Sequence, residues 1–87
     1  MEQQLINDFA SVRTSLASAA STLQTRWTAF GDADRALLTG SLDDVEALTT
    51  AYASSRTQLR TALAALASQR QSRRQILENL EALYSSP

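Results

Sequence analysis

The first half of the chain carries a stripe of mostly apolar residues that recur every three or four positions. This spacing is typical of an amphipathic helix that buries one narrow face. The stripe consists of Leu5, Phe9, Val12, Leu16, Ala19, Leu23, Arg26, Phe30, Ala33 and Leu37. Arg26 is its one charged member, and the pattern predicts a single helix over about residues 3–39.

An alternative turn lies inside this helix, at Gly31-Asp32-Ala33-Asp34. Asp32 could cap a short separate helix there, and a glycine within a continuous helix costs about 1 kcal/mol. The apolar stripe nevertheless keeps its register across Gly31. We therefore expect one helix, and the sequence leaves open whether Gly31 bends or breaks it.

A stronger turn signal stands at "LLTGSLDD", residues 37–44. Gly40 suits the left-handed conformation that often ends a helix. Ser41 is a good N-cap, and Asp43 and Asp44 are favourably placed at the positive end of the following helix, with Asp44 at the third position of a capping-box variant. The turn is predicted at residues 39–41, with a second helix over about residues 42–84.

The second half carries its own stripe, without Gly or Pro before Pro87: Val45, Leu48, Tyr52, Ser55, Leu59, Ala62, Leu66, Gln69, Arg73, Ile76, Leu80 and Leu83. Folding at Gly40 is expected to bring together the pairs Leu37–Val45, Phe30–Tyr52, Leu23–Leu59 and Leu16–Leu66. The sequence thus predicts an all-α, coiled-coil-like antiparallel two-helix hairpin, one domain over residues 1–87. At about 1.5 Å per residue, each arm is roughly 55–65 Å long.

A second apolar stripe adjoins the first on both predicted helices. Its members are Ile6, Ala20, Trp27, Leu63, Ala67, Leu77 and Tyr84. They could merely widen the seam between the arms, but apolar faces this wide favour another helical layer. We expect these seven residues to form a partner interface, either by self-pairing into a four-helix bundle or by docking onto the helices of another protein.

Composition restricts the chemistry of the chain. It has 87 residues, no Cys and no His, so disulfides, thiolate metal sites and the commonest general base are absent. No Ser/His/Asp set or glycine-rich phosphate loop is present, and the acidic pairs at Asp32/Asp34 and Asp43/Asp44 fail the EF-hand pattern, because Leu37 stands where its Gly is needed. We expect no enzyme, no cofactor and no metal.

The one basic cluster is "SQRQSRRQ", residues 68–75. Arg70 and Arg74 lie one turn apart and could together hold a phosphate or a partner's carboxylates, although a solvated patch with Arg73 reaching out of the seam is the simpler interpretation. The net charge is -1. We therefore expect the partner to be a protein and not a nucleic acid.

The N-terminus lacks the basic and apolar regions of a signal peptide, and no apolar run is long enough to span a bilayer. We expect a chain made in the cytoplasm without a membrane span. Export by a route that needs no cleavable leader stays open.

The turn also resembles that of a known family. Small leaderless ESX-type helical hairpins, exported by type VII secretion systems, carry Trp-x-Gly between two long antiparallel helices, and Leu38-Thr39-Gly40 stands in its place here. The resemblance implies a secreted substrate or partner that works as a dimer in a four-helix bundle. Leu38 departs from the family's Trp, Trp27 lies three turns earlier, and the tail "ALYSSP" lacks the acidic residue of the family's export signal.

The segment "RALLTGSLDDVEAL", residues 35–48, is similar to the Leu-x-x-Gly turn and Ala-Leu-rich helix of flagellar and type III export chaperones. Those proteins are usually longer. The functional expectation is therefore a non-enzymatic bacterial interaction protein associated with secretion. An export chaperone, or a structural component of a phage or injection assembly, is the alternative.

Overall fold

In a computed structural model, residues 2–85 form two long helices joined by a tight turn. Helix α1 spans Glu2–Thr39, a single 3-10 turn spans Leu42–Asp44, and helix α2 spans Val45–Ser85. No strand occurs within residues 2–85, and the two helices pack antiparallel along their length. The predicted all-α hairpin is confirmed. The last two residues of the "ALYSSP" tail lie outside the described range.

Burial follows the predicted stripes closely. Every stripe residue of α1 is buried or half-buried, and so are the stripe residues of α2 from Leu48 onward, except Arg73 and Leu83. The predicted Phe30–Tyr52 pair is confirmed, with ring centroids 5.1 Å apart. Among the described residues only Val12, Leu59 and Ala62 are buried, each 4–7% exposed, because two helices enclose just the line along which they touch.

The turn between the helices begins with a serine cap, as predicted. Ser41 has extended backbone angles, with φ -71° and ψ 149°, and its Oγ accepts a hydrogen bond from the Asp43 backbone N–H at 3.2 Å. The Asp44 N–H donates to the Ser41 carbonyl oxygen at 3.0 Å. These two bonds satisfy N–H groups that have no partner within a helix's first turn.

The conformation expected for Gly40 is wrong. Within residues 2–85 no glycine has a positive φ, so Gly40 does not end α1 in the left-handed region. Its function in the turn is steric. A Cβ at Gly40 would lie 2.8 Å from the Ala36 carbonyl oxygen and 2.2 Å from Leu48 Cδ1. Glycine is needed here because α1 and the start of α2 approach each other too closely for a side chain.

The start of the second stripe also differs from the prediction. Val45 is 47% exposed, and the first half-buried residue of α2 is Leu48. The residues before Val45 form a 3-10 turn, which has three residues per turn and therefore rotates the chain out of the α-helical register. At Gly31 no such disruption occurs, since α1 runs through it without a break.

The hairpin is a rod. Its Cα atoms extend over 70 × 15 × 13 Å, and the radius of gyration is 19.5 Å. A compact domain of this length has a radius of gyration of about 12 Å. An elongated two-helix rod has no enclosed interior, so any binding site has to lie on its outer surface.

Candidate protein-interaction surface

The two sides of the rod follow from the heptad register. With the stripe residues written as heptad positions a and d, Phe30, Tyr52, Phe9 and Arg73 are all at position a. The Phe30–Tyr52 ring contact, and the Arg73 guanidinium carbon 5.7 Å from the Phe9 ring centroid, show that the a positions of the two helices face each other. Positions e, which adjoin positions a, therefore lie on one side of the rod for both helices. Positions g lie on the other.

Six of the seven predicted interface residues occupy positions e, and Ala67 borders them at position b. The members of this e side are Ile6, Ala20, Trp27, Leu63, Leu77 and Tyr84. All seven predicted residues are exposed, with Trp27 at 65% and Tyr84 at 66%. The antiparallel packing thus brings the predicted residues of both arms to one side of the rod, and none of them is covered by the seam.

The g side has a different character. Its α1 positions are Asp8, Ser15, Thr22, Ala29 and Ala36, and its α2 positions are Ala51, Gln58, Ala65, Ser72 and Asn79. None of these is a large apolar residue. Since exposed large apolar side chains are unevenly divided between the two sides, the e side is the candidate interaction surface.

A groove of about 740 Å³ lies along α2 on the e side. Its lining includes Ala67 and Leu77 from the predicted interface and both Arg70 and Arg74, the predicted anion contacts, with Leu16 contributed by α1. Glu78 and Glu81 also line it. The residues predicted for a partner and those predicted for an anion therefore belong to one surface.

The two charged residues within the stripes, Arg26 and Arg73, have partners across the seam. Arg26 Nη1 donates a hydrogen bond to Gln58 Oε1 at 3.0 Å. Arg73 is exposed and places its guanidinium against the face of Phe9, a cation–π arrangement. These contacts let charged residues occupy seam positions while their charged groups remain in contact with solvent.

Tyr84 links the two ends of the chain. Its hydroxyl donates a hydrogen bond to Glu2 Oε1. This bond, assisted by desolvation and by the negative charge of Glu2, raises the pKa of the Tyr84 hydroxyl above its ordinary value. Tyr84 thus serves as a clasp between the start of α1 and the end of α2, while most of its ring stays exposed.

Several surface residues were not singled out from the sequence. Arg13 and Arg56 share heptad position e with Trp27 and Arg70. The shared letter could be read from the sequence, but it places residues of both arms on one side only once position a is seen to face position a. At the turn, Leu38 and Leu42 are 78% and 88% exposed. The periodicity of α1 places Leu38 off the seam, next to Leu37, but the exposure of Leu42 could not be read from periodicity, because Leu42 lies in the 3-10 turn that interrupts it.

The described residues contain no group of three or more potential metal-ligating side chains that could hold an ion. Asp32, considered above as a cap, instead lies within α1 and pairs with Arg35 at 3.7 Å, both side chains being exposed. Neither helix of the described range is long and apolar enough to cross a membrane.

A scan against protein-family models and searches of curated proteins and of solved structures give no significant match to this chain.

Proposed function

We propose that this protein is a non-enzymatic helical interaction protein whose e side packs against helices of a second protein chain to complete a four-helix assembly. The observation that carries the proposal is the placement of Ile6, Trp27, Leu63, Leu77 and Tyr84 on one exposed side of the rod. Large apolar side chains concentrated on one side, opposite a side that lacks them, are typical of a surface that becomes covered.

The surface area of the chain supports this proposal. The accessible surface is 6566 Å², whereas a compact monomer of 9.5 kDa exposes about 5,050 Å². A standard protein–protein interface covers about 800 Å² per partner. One partner could therefore cover a large part of the excess surface without enclosing the rod.

The small core supports it as well. Val12, Leu59 and Ala62 are the described residues that are buried, and the chain has no Cys to form a disulfide. Small domains that bury little apolar surface are often stabilised further by a disulfide or by an oligomer. Packing of the e side against a partner would add buried apolar area where the hairpin alone has little.

We extend the proposal to a role in secretion, as an ESX-like substrate or partner. The support is the hairpin form with two arms of similar length and a tight turn at residues 40–41, together with the position of Leu38-Thr39-Gly40. This extension predicts that the protein reaches the culture medium of its native host. Retention in the cells, at the same level with and without the type VII machinery, would contradict it while leaving the interaction proposal intact.

The interaction proposal is tested with Leu63→Glu/Leu77→Glu. Both residues are exposed on the e side, so the double change should leave helicity unchanged by circular dichroism. The native assembly, measured by light scattering after size-exclusion chromatography, should be lost. Ser54→Glu/Ser68→Glu is the matched control, because it adds the same charge at the same spacing on the opposite face of α2.

The single Trp gives a second readout. Trp27 is well exposed in the hairpin, so its emission should shift to shorter wavelength and become less accessible to iodide when a partner covers the e side. An assembly that survives the Leu63/Leu77 change but dissociates with the Ser54/Ser68 control would mean that the other face binds. A chain that remains monomeric in native extracts, with Trp27 fully quenchable, would refute the proposed function.

A further inference from the structure

Five of the eight arginines lie on the e side of the rod or at its border. They are Arg13, Arg56 and Arg70 at position e, with Arg60 and Arg74 at the adjoining position b. We call these five residues the arginine ladder. All five are exposed. The chain has nine acidic residues and a net charge of -1, so the ladder is a local concentration of positive charge on a chain that is slightly negative.

The ladder is unpaired within the hairpin. In the described range of residues 2–85, the one ion pair within 4.0 Å joins Arg35 to Asp32, and neither belongs to the ladder. Glu78 and Glu81 line the same groove as Arg70 and Arg74, but their carboxylates are farther than 4.0 Å from these guanidinium groups. The ladder therefore has free guanidinium donors, and the hairpin itself does not neutralise them.

The ladder residues are interspersed with the apolar residues along the rod. Because Phe30 faces Tyr52 and Phe9 faces Arg73, residue n of α1 is level with about residue 82 − n of α2. Arg13 is thus level with Arg70, and the next layer along the rod holds Ala20 and Leu63. Successive layers are separated by one heptad, about 10 Å. The layer one heptad farther along holds Trp27 and Arg56 together, so apolar and basic residues are interspersed along a single surface.

We infer that the partner covering the e side is an acidic helical protein, with carboxylates at heptad spacing between its apolar residues, and not a second copy of this chain. The inference rests on the proposed function and specifies its partner. Arginine forms paired hydrogen bonds with carboxylates, and interfaces favour opposite charges in facing positions. A partner helix with the complementary pattern would meet both the apolar and the basic residues.

Self-pairing would create the opposite situation. In an antiparallel pair with full overlap, Arg13, Arg56, Arg60 and Arg70 of both copies would share roughly 25 Å at the centre of the interface. Only Arg74 would come near acidic residues of the other copy, Asp34 and Glu46. In a parallel pair, each of the five ladder residues would face the same arginine of the other copy. Like charges in facing positions disfavour both arrangements.

A membrane surface fits the pattern less well. In helices that lie in a membrane interface, basic residues flank a continuous apolar face. Here Arg13 and Arg70 interrupt the apolar face itself, at the same heptad position as Ile6 and Leu77. Nucleic acid is disfavoured by the sequence pI of about 5.2 and the negative net charge.

In the experiment, a charge-reversed variant of this chain serves as the acidic partner of the wild type. The variant Arg13→Glu/Arg56→Glu/Arg60→Glu/Arg70→Glu turns the centre of the ladder acidic without changing the apolar layers. Each change subtracts two charges, so the variant has a net charge of -9 beside the -1 of the wild type. Because both chains have a negative net charge, overall charge opposes their association. Any electrostatic attraction has to come from the arginine ladder of the wild type facing the glutamates of the variant.

We expect the wild type alone and the variant alone to sediment as monomers, and their equimolar mixture to sediment as a heterodimer. Raising the salt to about 0.5 M should weaken the mixed complex by roughly tenfold, because screening acts on the facing charges. Adding Leu63→Glu/Leu77→Glu to the wild-type chain should abolish it. The Ser54→Glu/Ser68→Glu control should leave it unchanged. Circular dichroism of every variant establishes that each one is helical before mixing.

Three outcomes would overturn the inference. The first is a wild-type dimer that is lost with Leu63→Glu/Leu77→Glu, which would keep the proposed function and make the partner a second copy. The second is a folded mixture that stays monomeric. The third is that the wild type, but not the variant, binds to vesicles of equimolar phosphatidylcholine and phosphatidylglycerol or to a DNA duplex in preference to the acidic variant. If the native assembly is insensitive to the Leu63/Leu77 change, the proposed function fails as well.

Discussion

Replacement of Gly40 by Ala tests the close approach that allows this chain to turn back on itself. The added Cβ would lie 2.2 Å from Leu48 Cδ1 and 2.8 Å from the Ala36 carbonyl oxygen. The leucine side chain can rotate away, but the carbonyl belongs to the last turns of α1 and moves only with the helix. The change therefore strains the junction between α1 and α2 whichever rotamer Leu48 adopts.

The magnitude follows from two opposing effects. Inserting a methyl group into a packed site typically costs about 1–3 kcal/mol. Ala in place of Gly restricts the unfolded chain and returns about 0.4–1 kcal/mol. We expect Gly40→Ala to lower the free energy of unfolding by about 1.5 kcal/mol, which for a chain of this size corresponds to a fall of roughly 6–12 °C in Tm.

Gly31 provides the matched control for this substitution. It lies within α1, and a Cβ there would meet nothing within 4 Å. Gly31→Ala should raise the free energy of unfolding by about 0.5–1 kcal/mol, through helix propensity alone. The same chemical change at the two glycines thus has opposite expected signs, because only Gly40 is crowded.

The assay is urea unfolding, followed by far-UV circular dichroism and by Trp27 emission at one fixed protein concentration, since any assembly makes stability concentration-dependent. A double-mutant cycle with Leu48→Ala separates the two contacts. The part of the loss that disappears in the Leu48→Ala background comes from the leucine, and the rest from the Ala36 carbonyl. A Gly40→Ala protein as stable as the wild type would refute the steric account of the turn.

Three further changes test other contacts. Phe30→Ala should lower the free energy of unfolding, measured by urea unfolding, by about 2 kcal/mol. This is about half the loss for a fully buried Phe, since Phe30 is half-buried against Tyr52. A loss below about 0.5 kcal/mol would show that the ring contact contributes little. Arg26→Leu should raise Tm, because a buried Leu at this seam position contributes roughly 1 kcal/mol more than an exposed hydrogen bond, and a lower Tm would mean that the bond dominates. In a spectrophotometric titration, Glu2→Gln should move the raised pKa of Tyr84 down toward its ordinary value. The hydrogen bond between Glu2 and Tyr84 stabilises the fold at a pH below the ordinary pKa of tyrosine, and this stabilisation is lost as the pH rises through the raised pKa of Tyr84 in the folded protein. If the dependence of Tm on alkaline pH is unchanged by Glu2→Gln, the hydrogen bond does not form.

The stripes of apolar residues were sufficient to predict the two helices and the seam between them. From Leu5 to Leu37 and from Leu48 to Leu80, nearly every residue expected in the seam is buried or half-buried. Periodicity succeeds here because two long helices share one line of contact, so that burial depends on angular position around the helix and on little else. The Ser41 cap was equally readable, because its bonds are local.

The turn could be located from the sequence, but its geometry could not. Glycine was expected at the end of α1 for its backbone freedom, whereas the structure requires it for lack of a side chain next to Leu48. Leu48 belongs to the other helix, and its approach is fixed only once both helices pack. In the same way, the 3-10 turn that leaves Val45 exposed depends on how the chain enters α2.

The sequence by itself determined the two helices, the position of the turn between them and the residues of the seam, because helix formation and amphipathicity are properties of neighbouring residues along the chain. Only the tertiary structure decided which residues of one arm share a side with which residues of the other. Antiparallel packing with position a facing position a brings Trp27, Leu63 and Leu77 to the same side as Arg13 and Arg70. Such a grouping depends on the relative rotation and register of two helices, and neither helix contains that information alone.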